Sequence, residues 1–417
     1  MNGKVHSFAA KAIKRLRGGN TMAEVFHERL KSPIPTKELE RRSRELLAVM
    51  KKENIDCILT QNLTQYMGGC NRWLTDTTAE NNYPQSSFLT KDGDIGYIAC
   101  SGPPLDLYPP SHLLRIGKPW AAAPYFSVFN FTNDWEGRLF VKWAKENNPK
   151  RIGITGLSMI QWNYYKYIAE KLPDAEILDV SSLFDEIRAI KSEDEIKFLG
   201  KSAAVQDKVM GYIPALAQPG VREYEVRSKI MQLVTDFGGE EMVVIIGSAP
   251  RGEKFDLMPG FFQNRELQQG DELYIRLQCS GPGGMFTTLG RMFSVGCEPS
   301  DAMQKSWQEA IASQRKIAGM LHPGMNPQVI FAAYNAYLAE KGYKQETGLF
   351  AYGQGYDHIE RPSIQPGETM KFAQDMCLAV NTSLVSAERT IYCADSFLLK
   401  ANGPQKLHKT PFIIFRT

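Results

Sequence analysis

At 417 residues, 43% hydrophobic and 23% charged, the chain can bury a substantial core, which excludes disorder as its main state. Its 49 Lys and Arg nearly cancel 46 Asp and Glu, and a net charge of +3 excludes the basic excess of a nucleic-acid-binding protein, so no nucleic-acid partner is expected. No apolar run approaches the roughly 18 residues that span a bilayer.

The chain opens without a hydrophobic segment of signal-peptide type, and its seven cysteines, Cys57, Cys70, Cys100, Cys279, Cys297, Cys377 and Cys393, show no CxxC spacing. A cytoplasmic protein with reduced thiols and no membrane partner is the expectation. Residues 1–21 read as a basic N-terminal extension. The spacing from Ser7 to Arg17 allows a short amphipathic helix, but Gly18-Gly19-Asn20 ends it, and a dispensable extension is the stronger reading.

Helical periodicity over Thr36 to Lys52 precedes a short apolar run, Asp56 to Asn62, with the look of a buried strand. Ser86 to Cys100 reads as a hairpin around Asp92-Gly93, and Pro103 to Asn130, rich in proline and aromatics, as irregular surface. Arg151 to Gly156 reads as a strand before a helix over Tyr164 to Leu172. Residues 22–185 are thus expected to form a small α/β domain.

A second domain is expected over residues 186–417, opened by a helix that Ser192 caps, with Glu195 at the capping-box spacing. A helix over Arg222 to Phe237 follows, then the strand-like MVVIIGS, ELYIRLQ and Arg291-MFSVG. Helices near Gln304 to Leu321 and Gln328 to Lys341 precede the strand-like CLAVNTSLV, TIYCADSFLLK and PFIIFRT. Two helix pairs, each followed by strands, suggest an internally duplicated α+β domain.

Four segments, RAIKSEDEIKFL, QQGDELYIRLQ with GRMFSVG after it, AYGQGYDHIERP and DSFLLKANGP, resemble in order and spacing the marker segments of the creatinase, aminopeptidase P and methionine aminopeptidase family. The resemblance runs from about Thr36 to the end. It implies a creatinase-like N-terminal α/β domain followed by an α+β pita-bread domain. Metallopeptidase members hold two metal ions through two aspartates, a histidine and two glutamates. The matching positions here are Arg276, Thr288, Tyr352, Asn381 and Ala394, none a ligand of the usual kind. A one-residue slip toward Asp271, His358 or Asp395 does not restore the set, because on a strand it turns the side chain to the opposite face. A permanent guanidinium at position 276 would repel two dications. No metal and no other cofactor is expected.

Creatinase itself is a metal-free member with a histidine base on the loop before the first of these strands, and that position falls near Pro259. The pocket is therefore expected to hold Arg276, Thr288, Arg291, Tyr352, Asn381, Glu360 and Glu388. Two arginines with a tyrosine and an amide make a receptor for a carboxylate. Equally, the arginines pair with Glu360, Glu388 or Asp395 as a charge-balanced core. Tyr352, Glu360, Asp256 and His358 are the candidate proton-transfer groups. Against them stand a Tyr352 packed into the vacated metal space, a solvated His358 and ordinary loop charge at Asp256. The family sends residues of the stretch matching Gly68 to Pro84 over the partner subunit's pocket, which implies a homodimer. Arg72, Trp73, Asp76 and Tyr83 are the candidates there, suited to a cationic substrate or else core and interface residues. The resulting expectation is a metal-independent creatinase-like hydrolase of a C–N bond in a small charged molecule, guanidino, amide or quaternary ammonium. A metal-free lyase and a catalytically silent small-molecule-binding protein are the alternatives.

Overall fold

Two β-sheets organise the chain in the computed structural model, which describes residues 32–62, 64, 66–78, 84–100, 115–123, 134–254, 257, 264–386 and 390–417. The basic extension, Tyr83, Asp256 and Glu388 lie outside the described residues, as do most of 103–130.

The N-terminal sheet has six strands in the order β4-β3-β2-β1-β5-β6. These are β1 (Cys57–Asn62), β2 (Gln85–Thr90), β3 (Ile95–Cys100), β4 (Lys118–Ala123), β5 (Arg151–Ile154) and β6 (Glu176–Asp179). Helices α1 (Thr36–Glu53), α2 (Gly69–Thr75), α3 (Trp135–Asn147), α4 (Trp162–Lys171) and α5 (Ser181–Ala189) connect or cover them. Helix α1 buries Leu39, Arg42, Leu46 and Met50 along one stripe, the spacing that makes it amphipathic. Strand β1 runs antiparallel to β2 and parallel to β5, and β2 and β3 form the hairpin expected around Gly93, whose φ of +92° suits a residue without Cβ. The stretch read as irregular contains a strand, β4, parallel to β3. Its Pro119 concealed it, since proline cannot donate to a ladder; β4 is the sheet edge and carries a register shift, where proline is tolerated.

The C-terminal sheet has nine strands, seven of them in the order β11-β10-β12-β13-β9-β8-β7, with β14 beside β13 and β15 beside β9. They are β7 (Met242–Ala249), β8 (Glu272–Ser280), β9 (Phe286–Ser294), β10 (Ala351–Gly353), β11 (Glu360–Ser363), β12 (Cys377–Val385), β13 (Thr390–Lys400), β14 (Gly403–Lys406) and β15 (Phe415–Arg416). Four helices serve it: α6 (Glu193–Leu216), α7 (Glu223–Asp236), α8 (Asp301–Ala318) and α9 (Pro327–Glu340). Helix α6 starts on a complete capping box, Ser192 Oγ accepting from Glu195 N and Glu195 Oε2 from Ser192 N.

Alternation along the strands assigns the two faces. Leu273, Ile275, Leu277 and Cys279 of β8 pack with Val209, Ile213, Val226 and Ile230 of α6 and α7. Leu378, Val380 and Cys393 pack with Trp307, Ile311 and Tyr334 of α8 and α9. Tyr274, Arg276 and Gln278 must then point to the other face. The two halves meet through buried charge. Arg42, fully buried, donates to Glu38 (3.0 Å), Glu195 (2.9 Å) and the Trp73 carbonyl (2.6 Å), tying α1 and α2 to the start of α6.

Candidate active site

Strand register gathers the five positions that match the family's metal ligands. Arg276 lies opposite Gly290, Gly290 opposite Ala394, and Ala394 opposite Asn381, one row across β8, β9, β13 and β12. The next row on the same face runs from Gln278 opposite Thr288 to Ser396 opposite Ala379 and Ala379 opposite Tyr352. The alignment made on sequence thus gathers Arg276, Thr288, Tyr352, Asn381 and Ala394 on one surface.

That surface is a network of neutral groups around one cation. Gln278 Nε2 donates to the Tyr352 hydroxyl (2.5 Å), Gln354 Nε2 to Thr288 Oγ1 (2.8 Å), and Ser396 Oγ to Gln354 Oε1 (2.6 Å) while accepting from Thr288 N (2.8 Å). Burial raises the Tyr352 phenol above its ordinary pKa, and the Arg276 charge with the nearby polar groups of Asn381, Gln278 and Thr288 offsets only part of that rise. Tyr352 therefore stays protonated at neutral pH. The Asn381 amide lies close enough to act on that hydroxyl, yet its Oδ1 and Nδ2 have no well-formed hydrogen bond. Arg276 is half-buried, its Nε is buried without a partner, and no ion pair joins it to a described carboxylate.

A pair of divalent ions does not fit this donor set. A guanidinium, a threonine, a protonated phenol, a carboxamide and an alanine supply no anionic or imidazole ligand, and the guanidinium opposes positive charge. Among the described residues no cluster of three or more His, Cys, Asp or Glu is placed to hold a metal elsewhere.

Other expected site residues fall outside this face. Arg291 is opposite Ile275, hence on the helix-covered face, where it pairs bidentately with Asp395 (2.9 and 3.0 Å). It is a correction to the two-arginine pocket: of the two readings, the charge-balanced core describes Arg291, and only Arg276 faces the site. Glu360 is buried against Lys191 (2.7 Å) and Arg188 (3.4 Å). Burial works to raise its pKa, but these two cations prevail and hold it below the ordinary carboxylate range. Its carboxylate also fills the space beside Gly355, where a Cβ would come within 2.4 Å. Glu360 therefore buttresses the glycine turn rather than transferring protons.

Arg72 pairs with Glu240 (2.7 Å) and lies against Gly284 and the Tyr356 ring of the same chain. Trp73 is buried, its indole donating to Glu195 (3.0 Å), and Asp76 is buried and paired with Arg115. None of the three bonds to Arg276, Thr288, Tyr352 or Asn381. Arg72 and Trp73 tie the two halves of the chain together through Glu240 and Glu195, whereas Asp76 pairs within the N-terminal half.

His358 is half-buried at one end of the face. Its ring lies beside Phe286 and Tyr66, and Nδ1 is 3.2 Å from the Tyr66 carbonyl. Phe286 is two residues from Thr288 on the same strand and so shares its face. Gln278, Gln354, Ser396 and Tyr274 went unnoticed on sequence. Gln278 and Ser396 were detectable, because each lies two residues beyond a matched position on a strand.

The fold is that of a pita-bread protein, and its family is one of hydrolases. The chain belongs to the creatinase and aminopeptidase P family: residues 197–401 match the model of metallopeptidase family M24, and residues 42–190 that of the creatinase/prolidase N-terminal domain. An Xaa-Pro dipeptidase of Pyrococcus furiosus is 23% identical over 324 residues, 76% of this chain and 87% of that protein. A creatinase from a Bacillus species is 22% identical over 412 residues, 92% of this chain and 94% of that one. Among solved structures, an Xaa-Pro dipeptidase from Bacillus anthracis superposes with a TM-score of 0.73 at 19% identity, covering 91% of this chain and all of its own. An X-Pro aminopeptidase from Thermotoga maritima gives 0.75 at 17% identity, covering 90% and 99%.

Proposed function

We propose that this protein is a metal-independent hydrolase of a C–N bond in a small molecule bearing a carboxylate, anchored by Arg276. One observation carries the reading: a guanidinium without a carboxylate partner among the described residues stands on the sheet face where the family places its metals. Guanidinium binds carboxylate through two parallel hydrogen bonds, so the site offers an anion what it denies a dication.

His358 is the general base in this reading. A hydrogen bond from Nδ1–H to the Tyr66 carbonyl places the lone pair of the neutral ring on Nε2, which then takes a proton from water. The protonated Tyr352 hydroxyl, held by Gln278, donates to the oxygen that gains charge as water adds to the carbon of the scissile bond. His358 then returns the proton to the departing nitrogen. The molecule acts as a cytoplasmic homodimer in this proposal, with its domain division near residue 185.

The test is hydrolysis of a panel of carboxylates containing amide, guanidino or quaternary ammonium groups, followed in chelator. Cleavage that survives chelator and is lost in both Arg276→Ala and His358→Ala supports the proposal. Cleavage that needs added metal overturns it.

A further inference from the structure

The row from Arg276 to Asn381 says more about what the site binds. Its two ends carry unsatisfied polar atoms: Arg276 Nε at one, and both Oδ1 and Nδ2 of Asn381, only 7% exposed, at the other. Between them stand Gly290 and Ala394, the two smallest residues. Neighbouring strands are about 4.8 Å apart, so the backbones of β8 and β12 are separated by about 14 Å with almost no side chain between. What enters that space is the Tyr274 hydroxyl, within 2.2 Å of where a Cβ at position 290 would stand. The row is a cradle with a polar floor, cationic at one end and neutral at the other.

Neither row of the site carries a carboxylate. Along β8 the next one on this face is Glu272, four residues and roughly 13 Å from Arg276. Glu360 is neutralised by Lys191 and Arg188, and Glu346, near the far end of β12, bonds Ser383, Glu346 Oε1 accepting from Gly348 N as well. Among the described residues a guanidino or quaternary ammonium group would find no counter-charge between Arg276 and Asn381, and it would be repelled by Arg276. A carboxamide presents a donor and an acceptor side by side, and another amide group meets both at once.

Resting on the reading of Arg276 as substrate anchor, we propose that the site selects anionic amides, with the ligand carboxylate on Arg276 and its amide on Asn381, and that Asn381 is the residue that excludes cationic ligands. Of the three substrate kinds expected on sequence, guanidino, amide and quaternary ammonium, this retains one.

The experiment is calorimetric binding to the full chain in chelator. Probes are N-acetyl amino acids with one to three methylenes between amide and carboxylate, the guanidino acid creatine, glycine betaine, and N-acetylethanolamine, which has the amide without the acid. At least one N-acetyl amino acid should bind ten-fold or more tighter than creatine and betaine, and N-acetylethanolamine should not bind. Asn381→Asp, which adds a counter-charge in the same shape, should reverse the order of N-acetyl amino acid and creatine, and Asn381→Leu should weaken the amide without favouring the cation. Melting curves and circular dichroism of both variants check that they fold. Tighter binding of creatine or betaine by the wild type, no binding of any N-acetyl amino acid, or an unchanged order in Asn381→Asp would overturn the proposal. Binding without hydrolysis would remove the hydrolase reading and leave the ligand class standing; hydrolysis of a cationic substrate would do the reverse.

Discussion

Arg291 and Asp395 form a fully buried bidentate pair one residue out of step with Arg276 and Ala394, so Arg276 and Arg291 have opposite faces and opposite duties. Arg291 also donates to the carbonyls of Ala394, Thr410 and Pro411, fastening the C-terminal segment to β13. Arg291→Ala should cost about 3–5 kcal/mol in urea unfolding by leaving Asp395 buried with only longer contacts to Lys406 (3.8 Å) and His408 (3.7 Å). Arg291→Met with Asp395→Leu should recover much of that loss, because it removes both charges. Wild-type stability in Arg291→Ala would mean that the pair is not formed.

Arg276, without a described ion-pair partner, should behave otherwise. Arg276→Ala should change stability by less than about 0.5 kcal/mol, the ordinary range for substitutions outside a bonded network. Arg276→Lys should keep the charge but weaken carboxylate binding at least ten-fold, since an ammonium lacks the planar fork. Melting temperature and affinity measured on the same variants separate the two effects. A stability loss equal to that of Arg291→Ala would make Arg276 a structural cation instead.

Glu360 should be dispensable for proton transfer and needed for stability. Glu360→Gln leaves Lys191 and Arg188 short of negative charge in a buried place, at a cost of about 3–5 kcal/mol. Whatever activity survives should keep the wild-type pH profile. Loss of one limb of that profile with little change in melting temperature would restore Glu360 as a catalytic acid or base.

A pH effect is expected from the N-terminal domain. Glu136 is buried with only Ser86 (2.5 Å) and Gln61 (2.6 Å) as donors, and burial raises its pKa from 4.5 to about 7. A carboxyl with a raised native pKa binds its proton more tightly when folded. Its contribution is complete below pH 4.5 and is lost as pH rises toward 7, by about 3 kcal/mol in all. His408 works in the opposite sense: burial lowers its pKa to about 4, so stability is lost as pH falls from 6.5 toward 4. The difference between Glu136→Gln and wild type isolates the first effect. The variant should gain on the wild type from pH 5 to 8, and parallel stability curves would show that Glu136 is not buried as a neutral acid.

Much of this was legible in the chain of letters. The capping box at Ser192, the turn at Asp92-Gly93 and the alternation of ELYIRLQ are local signals, and local signals suffice for them. The register that aligns Arg276 with Asn381 followed from ordered marker segments, which carry long-range pairing that periodicity does not. Arg291 misled because composition lists charges without faces; counting from Arg276 in odd and even steps would have put it behind the sheet. For Trp73 and Asp76 the sequence left a cation site and a core role open together, for another reason. Their partners, Glu195 and Arg115, are distant in sequence, and nothing local announces such a pair. Strand β4 was hidden by Pro119, whose place at a sheet edge is a tertiary fact.

The most direct measurement of the central claim is metal content set beside activity. Protein purified without chelator, then equilibrated with manganese, cobalt or zinc and passed through a desalting column, is assayed by elemental mass spectrometry. The same samples are tested for hydrolysis of the N-acetyl amino acid that binds tightest. A site built on Arg276 predicts metal well below one equivalent per chain, with a rate that neither chelator nor added metal changes. Two equivalents of metal that track with activity would contradict it.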